Sequence, residues 1–154
     1  MATIQDYSEF KIKITPEYSN WWSFSFEFFY KDRPLFNPEI IKSGEVKAEE
    51  IDICPLLPVL EKAIGCRTPE EIFAWGEWED EAAIIVEYKK YNKLAEDGFF
   101  IFRAFISAYF FKDGRGNTMD QPAGLILSMI ERDVLKKFYE DLKAEMVKAE
   151  AEKL

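Results

Sequence analysis

Proton shuttling, nucleophilic attack and metal binding most often begin with histidine, and the 154-residue chain contains none. That removes Ser-His-Asp and Cys-His catalysis, histidine metal ligands and the usual proton shuttle near neutral pH. Carboxylates are plentiful, so a two-carboxylate glycosidase fits by residue type alone. No pair of them stands in a recognisable motif, however, and a chain of this length leaves little room for a substrate groove. The segment Asp113-Gly114-Arg115-Gly116-Asn117-Thr118-Met119-Asp120 carries oxygen ligands faintly like a calcium loop. It lacks the acid at the third position and the bidentate Glu at the twelfth, and as Gly-x-Gly it fails the dinucleotide fingerprint. A connecting loop with Asp120 capping a helix at Pro122 is the plainer reading.

Cys54 and Cys66 bracket a segment that reads as a helix. Such a helix would hold their Cα atoms roughly 18 Å apart at about 1.5 Å per residue. A disulfide needs less than about 7 Å. A zinc site wants four ligands and usually a Cys-x-x-Cys pair. Two free, half-buried thiols are expected, with no catalytic residue, no metal and no cofactor.

What remains is charge and aromatic surface. There are 29 acids against 20 bases, a formal net charge of −9. Between Glu45 and Glu81 stand 11 acids and 3 bases, so nearly all of that net charge falls in this one segment. An acidic chain repels the phosphate backbone, which excludes nucleic acid as a partner. A concentrated acidic stretch instead suits a basic protein partner, because one sign of charge speeds encounter and selects the complementary surface. It is equally what a solvated surface looks like. Within it, Trp75 and Trp78 sit among Glu77, Glu79, Asp80 and Glu81, the composition of aromatic anchors ringed by charge. Core packing at a corner is the alternative for each tryptophan, and the binding reading requires one of them to be exposed.

The elements that must position these residues follow from periodicity. Phe10, Ile12 and Ile14 alternate with lysines; after a turn over 15–20, Trp22, Phe24, Phe26, Phe28 and Tyr30 alternate again, giving a β-hairpin with one apolar face. Lys31-Asp32-Arg33-Pro34 turns the chain, and residues 35–53 carry only short-strand hints at Ile40, Ile41 and Val46. Pro55 opens a short helix with Leu56, Leu57, Leu60 and Ile64 on one stripe, ended by Gly65. A second short helix is expected with Thr68 as N-cap, Pro69 in its first turn, and Ile72, Phe73 and Trp75 facing inward. Strands follow over about 83–91 and 99–111, the latter with apolar even positions from Phe100 to Phe110 and a place in the sheet centre. From Pro122, the fourfold spacing Ile126, Ile130, Val134, Phe138, Leu142, Met146 predicts one long helix whose last turns, from about Lys148, fray. Residues 1–154 read as a single α+β domain. It comprises an antiparallel sheet of about four to six strands, two short helices and a long C-terminal helix packed on one face. A ligand cavity between sheet and helix, lined by Phe99, Phe105 and Tyr109, would make it a small-molecule or lipid carrier of helix-grip type. The N-terminal residues resemble no signal peptide and no stretch suits a membrane span, so a cytoplasmic location is expected.

The order WWSFSFEFFYKDRPLF, CPLLPVLEKAIG, WGEWEDEAAIIVEYKK and C-terminal helix resembles the small acidic immunity proteins of bacterial polymorphic-toxin systems. The resemblance lies in size, charge and architecture, and no catalytic residue is carried with it. It implies a cytoplasmic, non-catalytic inhibitor that binds a cognate basic toxin.

Overall fold

In the computed structural model, residues 2–20, 22–35, 56–76, 82–90, 96–106 and 123–152 are described. Among them the chain is α+β, with two four-stranded antiparallel sheets and two helices. The first sheet runs β1 (Ala2–Gln5), β2 (Phe10–Tyr18), β3 (Trp22–Tyr30), β4 (Arg33–Pro34), in that order. Its turns are set locally. Asp6 accepts from the backbone of Ser8 and Phe10, which closes the first turn in the manner of an Asx-turn, with Glu9 left-handed. Lys31 and Asp32 are both left-handed between the paired residues Tyr30 and Arg33, the arrangement of a tight two-residue hairpin.

The β2–β3 hairpin is longer than its alternation suggested, because β2 continues through Pro16 to Tyr18. The Asp6 amide donates to the Phe10 carbonyl, so the even residues of β2 turn their backbone groups toward β1. Among the described residues β1 begins opposite Ile14, so no residue of β1 stands opposite Pro16, which lacks an N–H to pair.

The second sheet runs β5 (Ile72–Gly76), β6 (Ala82–Lys89), β7 (Phe99–Ile106), β8 (Ala123–Ile130). Helix α1 (Leu56–Ile64) precedes it and ends at Gly65 as its sequence requires. Helix α2 (Arg132–Glu152) follows it. β7 is an interior strand, and Phe100, Phe102 and Ala104 are buried beside Ile84, Val86 and Tyr88 of β6. α2 lies against β1 and β2, with further contacts to α1 and β7.

Three expectations are corrected. The single sheet is two sheets. The second short helix is instead a turn and strand β5: left-handed Glu70 after Pro69 is the pattern of a type II turn, and Phe73 and Trp75 then face inward with a period of two. The long helix begins at Arg132 rather than Pro122, because residues 123–130 form β8. A Cβ on Gly124 would come within 1.9 Å of the Ala104 carbonyl oxygen, so only glycine lets β8 approach β7 this closely. The buried stripe of α2 is accordingly Leu135, Phe138, Leu142 and Met146, with Val134 exposed.

One core joins these layers. Phe24 of β3 meets Trp75 of β5 edge-on at 5.4 Å, and Phe102 of β7 meets Phe138 of α2 edge-on at 5.5 Å. Cys54, the hints at residues 40–46 and the loop 113–120 lie outside the described residues.

Candidate functional site

The acidic corner is built by α1, the turn after it and β5. Of its predicted site residues only Trp75 is described, and it is 2% exposed in the core against Phe24. A surface-anchor role for Trp75 is therefore corrected to core packing, since a ring with no accessible area has none to offer a partner. Glu77, Trp78, Glu79, Asp80 and Glu81 follow β5 directly in sequence and lie outside the described residues. The exposed apolar side chain at this corner is one that periodicity had turned inward: Ile72, 58% exposed. Glu70 and Glu71 stand exposed just before it.

The turn carrying those glutamates is held to β6. The Glu70 amide donates to the Tyr88 carbonyl, the Tyr88 amide donates to the Glu71 carbonyl, and Lys89 Nζ bonds Glu70 at 2.5 Å. Lys89 also meets Glu87 at 2.9 Å, and Arg103 meets Glu87 from β7 at 3.2 Å. Lys89 and Arg103 hold the Glu87 carboxyl below its ordinary range against the opposing effect of burial. Glu70 and Glu87 raise Lys89 in turn.

A second cluster, which sequence reasoning missed, locks this corner to α2. Arg132 donates from Nε and Nη2 to the two Asp97 oxygens, each at 2.7 Å, a bidentate pair. It also donates to the carbonyls of Ile64 and Cys66 at the C-terminal end of α1, where a positive charge complements the helix dipole. Its guanidinium lies 5.3 Å from the Tyr88 ring centre and 5.0 Å from that of Phe100. Tyr88 donates its hydroxyl hydrogen to Asp97 and accepts from the Gly98 amide, both at 3.0 Å. Arg132 holds the Asp97 carboxyl well below the usual carboxylate range. Nothing local in the sequence announces this cluster, because Arg132 is 35 residues from Asp97 and 68 from Ile64.

Chemically the cluster holds and does not exchange protons. Asp97 stays ionised far below neutral pH, and burial pushes the Cys66 thiol up, away from the reactive thiolate. Cys66 is a free, buried thiol within 3.4 Å of the Thr68 carbonyl and Glu71. No group of three metal-ligating side chains occurs among the described residues.

The cavity expected between sheet and long helix is also corrected in its lining. Phe102 and Phe138 place α2 on the even side of β7, whereas Phe99 and Phe105 are odd and project from the opposite side. Tyr109 lies outside the described residues. Leu135, Phe138, Leu142 and Met146 of α2 keep 1% or less of their surface, as do Ile4, Ile12 and Ile14 in the first sheet. Side chains around a ligand-sized void would retain accessible area. Among the described residues no helix is long and apolar enough to cross a membrane. No family model, no curated protein and no solved structure matches this chain.

Proposed function

We propose that the protein is a non-catalytic binding protein, a cytoplasmic immunity-type inhibitor that takes a basic protein toxin against its acidic segment. The observation that carries this reading is the charge distribution: 11 acids against 3 bases between Glu45 and Glu81, and near balance elsewhere. A partner rich in Lys and Arg gains a long-range attraction there that the rest of the chain does not offer. The contact residues are Glu77, Glu79, Asp80 and Glu81, with Trp78 as aromatic anchor now that Trp75 belongs to the core. The Asp97–Arg132 cluster supports the reading by tying the end of α1 and the start of α2 to Tyr88, whose backbone in turn pairs with the Glu70–Glu71 turn before β5.

The test is a tagged pull-down from the native host's lysate at low salt, followed by a wash at roughly 0.5 M, where the Debye length falls to about 4 Å. The reading expects one basic protein, weakened by the wash, whose activity or toxicity is abolished by an equimolar amount of this chain. Failure to retain a basic protein, or retention without inhibition, contradicts it.

A further inference from the structure

The two sheets turn opposite characters outward. On the outer side of the first stand Thr3, Lys11, Lys13, Thr15 and Glu27, and the large ring among them, Phe29, lies under Lys11 Nζ at 5.0 Å. That face suits water. On the outer side of the second stand Ile72, Ile85, Phe99, Ile101, Phe105 and Ile126. The register brings them together: Ile72 lies opposite Glu87, Glu87 opposite Ile101, and Arg103 between Ile85 and Ile126.

Both described helices lie on the other side of this sheet. Phe138 sets α2 against even-numbered Phe102, and Arg132, stacked on even-numbered Tyr88 and Phe100, bonds the carbonyls at the end of α1. Ile72 and Ile126, at opposite margins of the outer face, are 58% and 54% exposed, and the four apolar residues between them are half-buried. A contiguous apolar patch of this kind marks an interaction site.

The charged side chains on the face neutralise one another. Lys89 meets Glu70 at 2.5 Å and Glu87 at 2.9 Å, and Arg103 meets Glu87 at 3.2 Å, two acids against two bases in a chain of net charge −9. A basic partner gains no attraction here. Two copies of the chain repel each other through their net charge, and this face is where they can meet without adding to it. Four strands about 4.8 Å apart, with β6 and β7 each eight residues long, make a face of about 20 Å by 25 Å. Two such faces together cover about 1,000 Å², the size a specific interface must clear.

We infer that the outer face of the second sheet is a homodimer interface, on which two copies stack sheet against sheet about 10 Å apart around a two-fold axis.

Sedimentation velocity of the full chain, from about 1 to 100 μM and at low salt and roughly 0.5 M, tests it. The inference expects a mass rising to twice that of one chain. Association tightens at high salt, because repulsion between the acidic chains is screened while apolar burial persists. Ile72→Glu combined with Ile126→Glu places two like charges on the face through side chains already largely in water, and should weaken association by about tenfold or more. Thr3→Glu combined with Gln5→Glu adds the same charge to exposed positions of the first sheet and should leave association within about twofold. Circular dichroism checks the fold of each variant, and Ile101→Thr, expected to weaken association several-fold, decides the matter if the Ile72 and Ile126 variant does not fold. A monomer throughout the concentration range overturns the inference. So does a dimer that loosens at high salt, or one that responds equally to the two pairs of added charges. Binding of the monomer to neutral phosphatidylcholine vesicles, lost in the Ile72 and Ile126 variant, overturns it in favour of a lipid surface.

Discussion

The two sheets have the same strand count and pairing sense, but they are secured differently. In the first, the connections β1–β2 and β3–β4 are tight turns with their own local causes, Asp6 in one and Lys31-Asp32 in the other, and Ile12, Ile14, Phe24, Phe26 and Phe28 supply a clean buried face. In the second, the outer strands are secured by residues distant in sequence: β5 by the Glu71–Tyr88 backbone bond and the Glu70–Lys89 ion pair of the turn before it, β8 by the close approach of Gly124 to Ala104, while the Arg132 cluster ties both helices to β6. Local chemistry closes the first sheet; the second depends on partners distant in sequence. The acidic segment of the sequence, 45–81, takes in α1 and β5, the elements that open this second, long-range half of the fold.

The largest expected effect breaks this contrast at its strongest point. Arg132→Ala removes the bidentate pair and both α1 carbonyl bonds together, at a cost of about 3–5 kcal/mol by denaturant unfolding. Lys11→Ala, which loses the pair with exposed Asp32 and a cation–π contact 5.0 Å from the Phe29 ring in the first sheet, should cost about 1 kcal/mol. Asp97→Asn should fall between them and carries a pH signature. Because the folded carboxyl is held below the unfolded value near 3.9, its stabilisation is fully present above that value and is lost as pH falls through the folded one. The stability gap between wild type and Asp97→Asn should therefore be constant above about pH 5 and shrink below about pH 4.

Gly124→Ala should cost about 3 kcal/mol by the same measurement, since the Ala104 backbone would have to move. Gly65→Ala is expected to cost under about 1 kcal/mol, because the nearest atom to an added Cβ is 3.7 Å away. At the junction of the sheets, the buried indole N–H of Trp75 has no hydrogen-bond partner among the described residues. Trp75→Phe should then cost less than about 1.5 kcal/mol, against about 3–5 kcal/mol for Trp75→Ala. Smallest is Met129→Gly, which relieves a left-handed side chain and should raise stability by about 0.5 kcal/mol, readable as a small rise in Tm.

How far the sequence reveals this molecule follows the same division. The hairpin alternation, the Lys31-Asp32 turn, α1 with its Gly65 stop and the interior position of β7 could all be read from residues within one turn or one strand of each other. β5 could not, because Ile72 and Trp75, three apart, suit a helical turn as well as Phe73 and Trp75, two apart, suit a strand, and Glu70's left-handed backbone decides between them. β8 misled for another reason. Leu125, Ile126, Leu127, Met129 and Ile130 are apolar at both parities, so the fourfold spacing of Ile126 and Ile130 merged with the real helical stripe beginning at Leu135. The candidate site was legible only as composition. Its acids stand out in a charge count, whereas the Arg132 cluster arises only once distant strands are brought together.

The central claim, that the acids after β5 recruit a basic partner without holding the fold together, is tested most directly by changing Glu79, Asp80 and Glu81 together to Lys. The association rate with the retained partner and the thermal midpoint would be measured on the same samples at low salt. The account predicts association slowed by about tenfold or more, with stability moved by less than about 0.5 kcal/mol. An unchanged association rate in a folded variant would contradict it.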